Sequence, residues 1–367
     1  MRAKLYKYYN IIREVLMNTS NFQKTEAYFA AANGYYGFVS YFNELFDPYS
    51  FEKLYILKGG PGTGKSSLMK GVASKIRDAA ERIELIYCAS DKSSLDGIIA
   101  YVNGKKYGII DGTAPHSQDP IYPGATDEII NLGAFWDEGK LYECRNDIKA
   151  FTKEKNRAYE CAYSYLRICK EISGAITELL ESESKTDTSS LITSLNGLSL
   201  SGPKETRILT SFGKGGFFKL DTLNRKAYKT VNIVGVYGSE YILTNRISDL
   251  LRLKGIAHIY APSALDPKNT YALYINEIDT LYICGELEGE IAEETIDSSV
   301  FVKEALNKNK TRLEFLAREK ESFLWAASDE FKKASDAHFK LEKIYSAAMN
   351  FDKHEKIASE ISSRIMQ

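Results

Sequence analysis

Charge of either sign is not in excess in this chain, because 48 Lys and Arg stand against 49 Asp and Glu. There is therefore no global field to gather nucleic acid or an anionic membrane, and nucleic acid is not an indicated partner. Cysteine and histidine are both sparse. Cys88, Cys144, Cys161, Cys169 and Cys284 form no C-x-x-C pair, and only 4 histidines accompany them, so neither zinc-ligand spacing nor a disulfide framework is present. Free thiols of this kind point to a reducing, cytoplasmic compartment. No run approaches the roughly 18 apolar residues of a membrane span. The opening MRAKLYKYYNIIREVLMN has charge but no continuous apolar segment of signal-peptide length, so neither insertion nor export is expected.

What the chain has is 44% hydrophobic residues, enough at 367 residues to fill the cores of two or three domains. Its organising stretch is LYILKGGPGTGKSSLMKGV, from Leu54 to Val72. Leu54 to Leu57 suit a buried parallel strand, and Leu68, Val72 and Ile76 recur at helical spacing. Between them Gly59, Gly60, Pro61, Gly62, Thr63, Gly64, Lys65 and Ser66, followed by Ser67, fill the G-x-x-x-x-G-K-[ST] pattern of a phosphate-binding loop. Glycines let the backbone turn its N–H groups onto an oligophosphate, and the following helix aims its positive end at the same anion. Lys65 is placed to reach the β- and γ-phosphates, and Ser66 to offer a hydroxyl to Mg²⁺.

Around this loop the chain reads in order. Residues 1–22 suggest an amphipathic helix, with Leu5, Ile12 and Leu16 on one face. Tyr35, Tyr36, Phe38, Tyr41 and Phe42 cluster about Gly34 and Gly37, and a hairpin burying its aromatics is preferred there over a base-stacking platform. Ile83 to Cys88 is a second strand, with Asp91 just past its end as either a site residue or a helix cap. Asn103-Gly104 is a hairpin signal joining IIAYV to YGIID. The second of these strands delivers Asp111 at its carboxyl end, as a Mg²⁺-holding partner of a phosphate loop should. Gly112 follows it, so no adjacent catalytic carboxylate is present. The proline-stiffened segment after it offers His116, Asp119, Asp127 and Glu128 to sense phosphate or handle a proton, His116 first among them, and Thr126 to Leu132 reads as a short helix. From Leu141 to Leu180 the pattern is that of long, charged helices forming an arm.

The second half repeats the first. Sliding Ile83 onto Ile256 aligns 83–112 with 256–285 without a gap, with identities that include Tyr87/Tyr260, Ser90/Ser263, Asn103/Asn276, Ile110/Ile283 and Gly112/Gly285. The chemistry does not repeat. Glu240, Tyr241 and Ile242 align with Gly64, Lys65 and Ser66, and Cys284 stands for Asp111. GKGG at Gly213–Gly216 reads as a hairpin turn. The expected domains are 23–182, a phosphate-loop domain with a helical arm, and 205–367, a degenerate copy with its own arm, joined by a Ser/Thr/Gly-rich linker at 183–204.

With GGPGTGKSS, the Cys88-Ala-Ser-Asp91 strand end and DGTAPH at 111–116, the chain resembles an uncharacterised bacterial family of duplicated phosphate-loop ATPases. The resemblance spans both halves. It implies ATP binding and hydrolysis. The residues themselves add the expectation of one Mg²⁺-dependent site, in which Lys65, Asp111 and His116 act, the 59–67 stretch binds nucleotide, and Ser66 and Asp111 hold the metal. The expected fold is α/β: two tandem phosphate-loop domains, each a mostly parallel sheet flanked by helices, with long helices appended. A protein partner would engage the helical arms. The rival readings are a kinase of a small molecule or nucleotide, and a non-hydrolysing nucleotide-dependent switch.

Overall fold

The computed structural model describes residues 24–181, 195, 197–285 and 292–367. The expected helix at 1–22 and most of the expected linker lie outside the described residues. The first sheet is built on strand β4 (Lys53–Lys58), whose four inner residues are all buried, as an apolar run covered on both faces must be. β7 (Lys105–Asp111) and β8 (Asp127–Asn131) flank it, both parallel to it. β5 (Arg82–Cys88), β6 (Asp91–Val102) and β7 run as an antiparallel meander, and β1 (Thr25–Phe29) lies parallel to β5 at the far edge. The order is β1-β5-β6-β7-β4-β8.

Two expectations fail here. The sheet is mixed, because only Ala89 and Ser90 separate β5 from β6, far too few residues for the crossover that a parallel neighbour requires. The segment expected as a short helix from Thr126 is strand β8. Its Ile129 and Ile130 fall opposite Ile56 and Leu57 and close the open edge of β4. The Asn103-Gly104 turn is as read, with both residues left-handed (φ 52° and 71°), the geometry of the tightest hairpin turns.

The second sheet repeats the first strand for strand. β9 (Lys204–Thr206), β12 (Lys229–Val234), β13 (His258–Pro262), β14 (Thr270–Ile275), β15 (Thr280–Cys284) and β16 (Glu294–Asp297) take the order β16-β12-β15-β14-β13-β9, with the same senses of pairing. Hairpins also correspond: β2 (Ala31–Gly34) with β3 (Gly37–Ser40), and β10 (Thr210–Gly213) with β11 (Gly216–Lys219). The expected linker is in part wall, since Leu195 is buried in the second core and the Ser199 and Leu200 amides bind the Glu277 carboxylate.

The inner faces of the two sheets share one core, in which Tyr28, Ile86, Ile99 and Ile110 meet Ile259, Ala261, Leu281 and Ile283. At about 1.5–3 kcal/mol for each large side chain withdrawn from water, this contact couples the stability of each half to the other. Hairpins reach across as well: Asn33 donates to the Phe212 carbonyl at 2.9 Å, and Ser211 Oγ to that of Ala89 at 2.8 Å. The outer face of the first sheet is covered by α1 (Lys65–Ile76), whose Leu68, Met69, Val72 and Ile76 pack with Ala358, Ile361 and Ile365 of the C-terminal helix α5 (His354–Met366). α3 (Ser239–Lys254) covers the second sheet.

The long helices form one antiparallel pair and not two separate arms. α2 (Arg145–Glu181) has 37 residues and α4 (Lys303–Ala347) has 45. Tyr159 meets Phe331, and Cys169 Sγ lies 3.6 Å from the Lys320 carbonyl, which fixes the opposed directions. Tyr159 reaches Ser90 at 3.3 Å and Tyr163 reaches Asn33 at 2.8 Å, so the pair runs over the carboxyl ends of the strands. One end packs on Tyr237 and Ile242 of the second half, and the other on the glycine-rich loop after β4. Among the described residues no helix is long and apolar enough to cross a membrane.

Candidate functional site

The turn between β4 and α1 closes on left-handed glycines, Gly62 at φ 70° and Gly64 at φ 82°, the latter at the helix N-cap. Only glycine adopts these angles without strain, and Gly62 and Gly64 also have no room for a Cβ. A methyl on Gly62 would collide with the Glu342 carbonyl and stand 2.8 Å from Ser346 Oγ; one on Gly64 would stand 2.6 Å from the His354 ring. Lys65, the first residue of α1, folds back so that Nζ donates to the carbonyls of Gly59 (2.8 Å) and Gly60 (2.9 Å). Thr63 Oγ1 also donates to the Gly60 carbonyl, at 2.9 Å.

The back of the loop is supported from the other end of the chain. Ser346 Oγ donates to the Gly62 carbonyl at 3.0 Å, and Tyr345 and Trp136 pack on Gly60. Main-chain bonds hold this support in place, from Asp137 N to the Ala348 carbonyl (2.8 Å) and from Asn350 N to that of Phe135 (3.0 Å). Burial lowers the basicity of His354.

Asp111 arrives beside the loop because β7 pairs directly with β4, Asp111 opposite Leu57. Its Oδ2 lies 3.5 Å from Lys65 Nζ, while Oδ1 accepts from the Thr113 amide at 3.0 Å and from the Thr113 hydroxyl. Its carbonyl accepts from His116 Nδ1 at 2.8 Å. His116 Nε2 in turn lies 3.5 Å from Asp96 Oδ2, both side chains nearly buried at 7% and 12% exposure, and the imidazole stacks on Phe42 at 4.3 Å. Burial alone would lower the His116 pKa, but the hydrogen bond and charge of Asp96, with Asp111 behind it, raise it above its ordinary value. Ser66 Oγ accepts from the Leu95 amide at 2.9 Å. Burial, seconded by Asp96, holds the Cys88 thiol well above the usual range and so unreactive.

The other acidic candidates do not join this group. Both Asp91 oxygens accept from Ser93 within a turn. Asp119 is exposed and pairs with Lys58 at 2.9 Å. Asp127 Oδ2 accepts from the amides of Ile121 and Tyr122 and so shapes the loop. Glu128 takes both arms of Arg364 on α5, at 2.9 and 2.6 Å. Asp96, Tyr159, Ser346 and His354 were not singled out by sequence. Asp96 carries a faint signal, an Asp-Gly pair inside an apolar strand, and it sits where the β5–β6 register slips between Leu95 and Gly97.

No family model, curated protein or solved structure matches this chain.

The second half has the same frame with different contents, and the structure shifts the expected alignment. Gly238, left-handed at φ 90°, precedes Ser239 as Gly64 precedes Lys65, so Ser239 and Glu240 stand for Lys65 and Ser66 in place of Tyr241 and Ile242. The loop itself is shorter, 235–238 against 59–64. Ser239 Oγ accepts from the Val236 amide at 3.1 Å and meets Ser298 Oγ at 3.0 Å, so a side chain fills the space an anion would need. Cys284 stands opposite Ile233 as Asp111 stands opposite Leu57, and burial raises its thiol pKa. Among the described residues, the first half thus joins a left-handed glycine turn, an ammonium and a carboxylate, a combination suited to a polyanion with its cation.

Proposed function

We propose that the first half binds a magnesium-complexed nucleoside triphosphate, ATP being the expected nucleotide, at the 59–67 stretch and hydrolyses its terminal phosphate. The observation that carries this reading is the posture of Lys65. Its ammonium is tied across the loop to the Gly59 and Gly60 carbonyls and stands 3.5 Å from Asp111, so the cation and the carboxylate meet at the mouth of the glycine turn. The loop amides and Lys65 would hold the phosphates. Ser66 and Asp111 fit Mg²⁺, which favours one or two carboxylates plus phosphate and water over a closed protein cage. Among the described residues Asp111 Oδ2 has only the long Lys65 contact, and the Ser66 hydroxyl retains a lone pair beside its Leu95 bond. The bound ion would draw charge from the oxygens of the terminal phosphates.

His116 is suited to proton handling. Its Nδ1 must donate, because the Asp111 carbonyl only accepts, so Nε2 is the position that gains or loses a proton, and Asp96 stabilises the charged form. The buried Asp96 also favours a second reading, transfer of the phosphoryl group to an acceptor hydroxyl whose proton that carboxylate would take. One set of assays separates them: nucleotide binding and phosphate release by the purified protein, with and without Mg²⁺ and candidate acceptors. Lys65→Ala should fold normally and lower turnover by about 10²–10³. Asp111→Asn should raise the Mg²⁺ concentration needed for binding. Unchanged ATP binding and hydrolysis in Lys65→Ala would end this reading.

A further inference from the structure

The buried stripe of α2 runs through Ala158, Ala162, Leu166 and Cys169, the spacing of a helix face laid against protein. One charged residue falls on that stripe at its N-terminal end. Lys155 stands one turn before Tyr159 and seven residues before Ala162, and it is partly buried.

Its level along the helix pair is fixed from both sides. Tyr159, on the same face, bonds Ser90 at the carboxyl end of β5. In the other direction, Glu154 meets Lys340 of α4 at 3.3 Å, and α4 ends two turns later with Ser346 on the Gly62 carbonyl. By its level along the pair, Lys155 therefore lies over the crevice at the strand ends, between Ser90 and the phosphate loop. In α/β sheets, ligands bind in such crevices.

Other lysines around this crevice already have partners within the chain. Lys58 binds the Gly112 and Gln118 carbonyls and Asp119, Lys65 binds Gly59 and Gly60, and Lys70 binds the Ser93 carbonyl. Lys155 has no hydrogen-bond or ion-pair partner among the described residues. Desolvation lowers its pKa with no neighbouring charge to offset the effect. A partly buried ammonium with idle donors costs stability, and an anionic ligand is what would recover it.

We propose that Lys155 is a nucleotide-contacting residue that binds the terminal phosphate from the face of the crevice opposite the loop. This rests on the reading of the loop as a triphosphate site. The competing account is a surface lysine whose stem packs on the helix face while its head reaches water. Lys155→Met separates the two, since it keeps the stem and removes the charge.

The test is calorimetric affinity for ATP and for ADP, together with Mg²⁺-dependent phosphate release, for the unmodified protein, Lys155→Met and Lys155→Arg. Circular dichroism controls for folding. Lys155→Met should bind ADP as the unmodified protein does, lose about tenfold in its preference for ATP over ADP, and release phosphate about 10²-fold more slowly. Lys155→Arg should restore part of the preference. An unaltered ATP-to-ADP ratio in Lys155→Met, with nucleotide binding intact in the unmodified protein, overturns this inference and leaves the loop reading standing. If the unmodified protein binds neither nucleotide, both fall. Should Lys155→Met fail to fold, Lys155→Arg and Lys155→Gln carry the test, and equal ratios for those two overturn the proposal.

Discussion

Gly62→Ala tests the claim that α4 is the back wall of the glycine-rich loop. Two costs add at this position. An alanine at φ 70° enters the left-handed region, at about 1–2 kcal/mol. Its methyl also meets the Glu342 carbonyl, a main-chain atom that cannot rotate aside, and overpacking of that kind costs about 1–3 kcal/mol. The expected total is about 2–5 kcal/mol. Gly215→Ala is the control, since φ is 86° there and nothing lies within 4 Å, so it should show the first cost alone. Urea unfolding followed by tryptophan fluorescence reads both, because Trp136 lies 5.5 Å from the Tyr345 ring while Trp325 is 61% exposed and contributes little change. Agreement of the two variants within about 0.5 kcal/mol would refute the packing argument, for it would mean that the end of α4 is not held against the loop.

Two further outcomes are expected. His116 has a pKa raised above its ordinary 6.5 by Asp96 and Asp111, so the stability it contributes is present in full below about pH 6.5 and is lost as pH rises through the folded value. Asp96→Asn should flatten that stretch of the stability–pH curve, and an unchanged slope would show that the pair is not coupled. Binding should saturate at one nucleotide per chain, because Ser239 and Cys284 occupy the positions of Lys65 and Asp111. Calorimetry showing two equivalent sites would contradict this.

The parts of the molecule that are legible in sequence are those encoded within a few residues. The loop, its strand and its helix follow from glycine spacing and local apolar period, and Asn103-Gly104 states its turn outright. Asp111 is legible because a strand end is a short-range feature. The repeat was visible in Ile256–Gly285, whereas the lysine equivalence was misplaced. A loop shortened by two residues moves the helix start, and only the left-handed Gly238 marks where it went. What could not be read are contacts between distant segments. The Ser346–Gly62 bond joins residues that no local pattern relates. Asp96 reaches His116 only because the β5–β6 register slips beside it. The pairing of α2 with α4 likewise depends on how the two sheets face each other, and each helix alone reads equally well as a separate arm.

The wall behind the loop also sets an order of events during synthesis. The ribosome makes Lys65 early, but Glu342, Ser346 and His354, which back the loop, come nearly three hundred residues later. At roughly 5–20 residues per second that interval lasts about 15–60 s. Throughout it the loop has no back wall, and Tyr28, Ile86, Ile99 and Ile110 have no Ile259 or Ile283 to cover them. The site therefore cannot be complete while the first half emerges, and the inner face of the first sheet stays uncovered until the second sheet has been made.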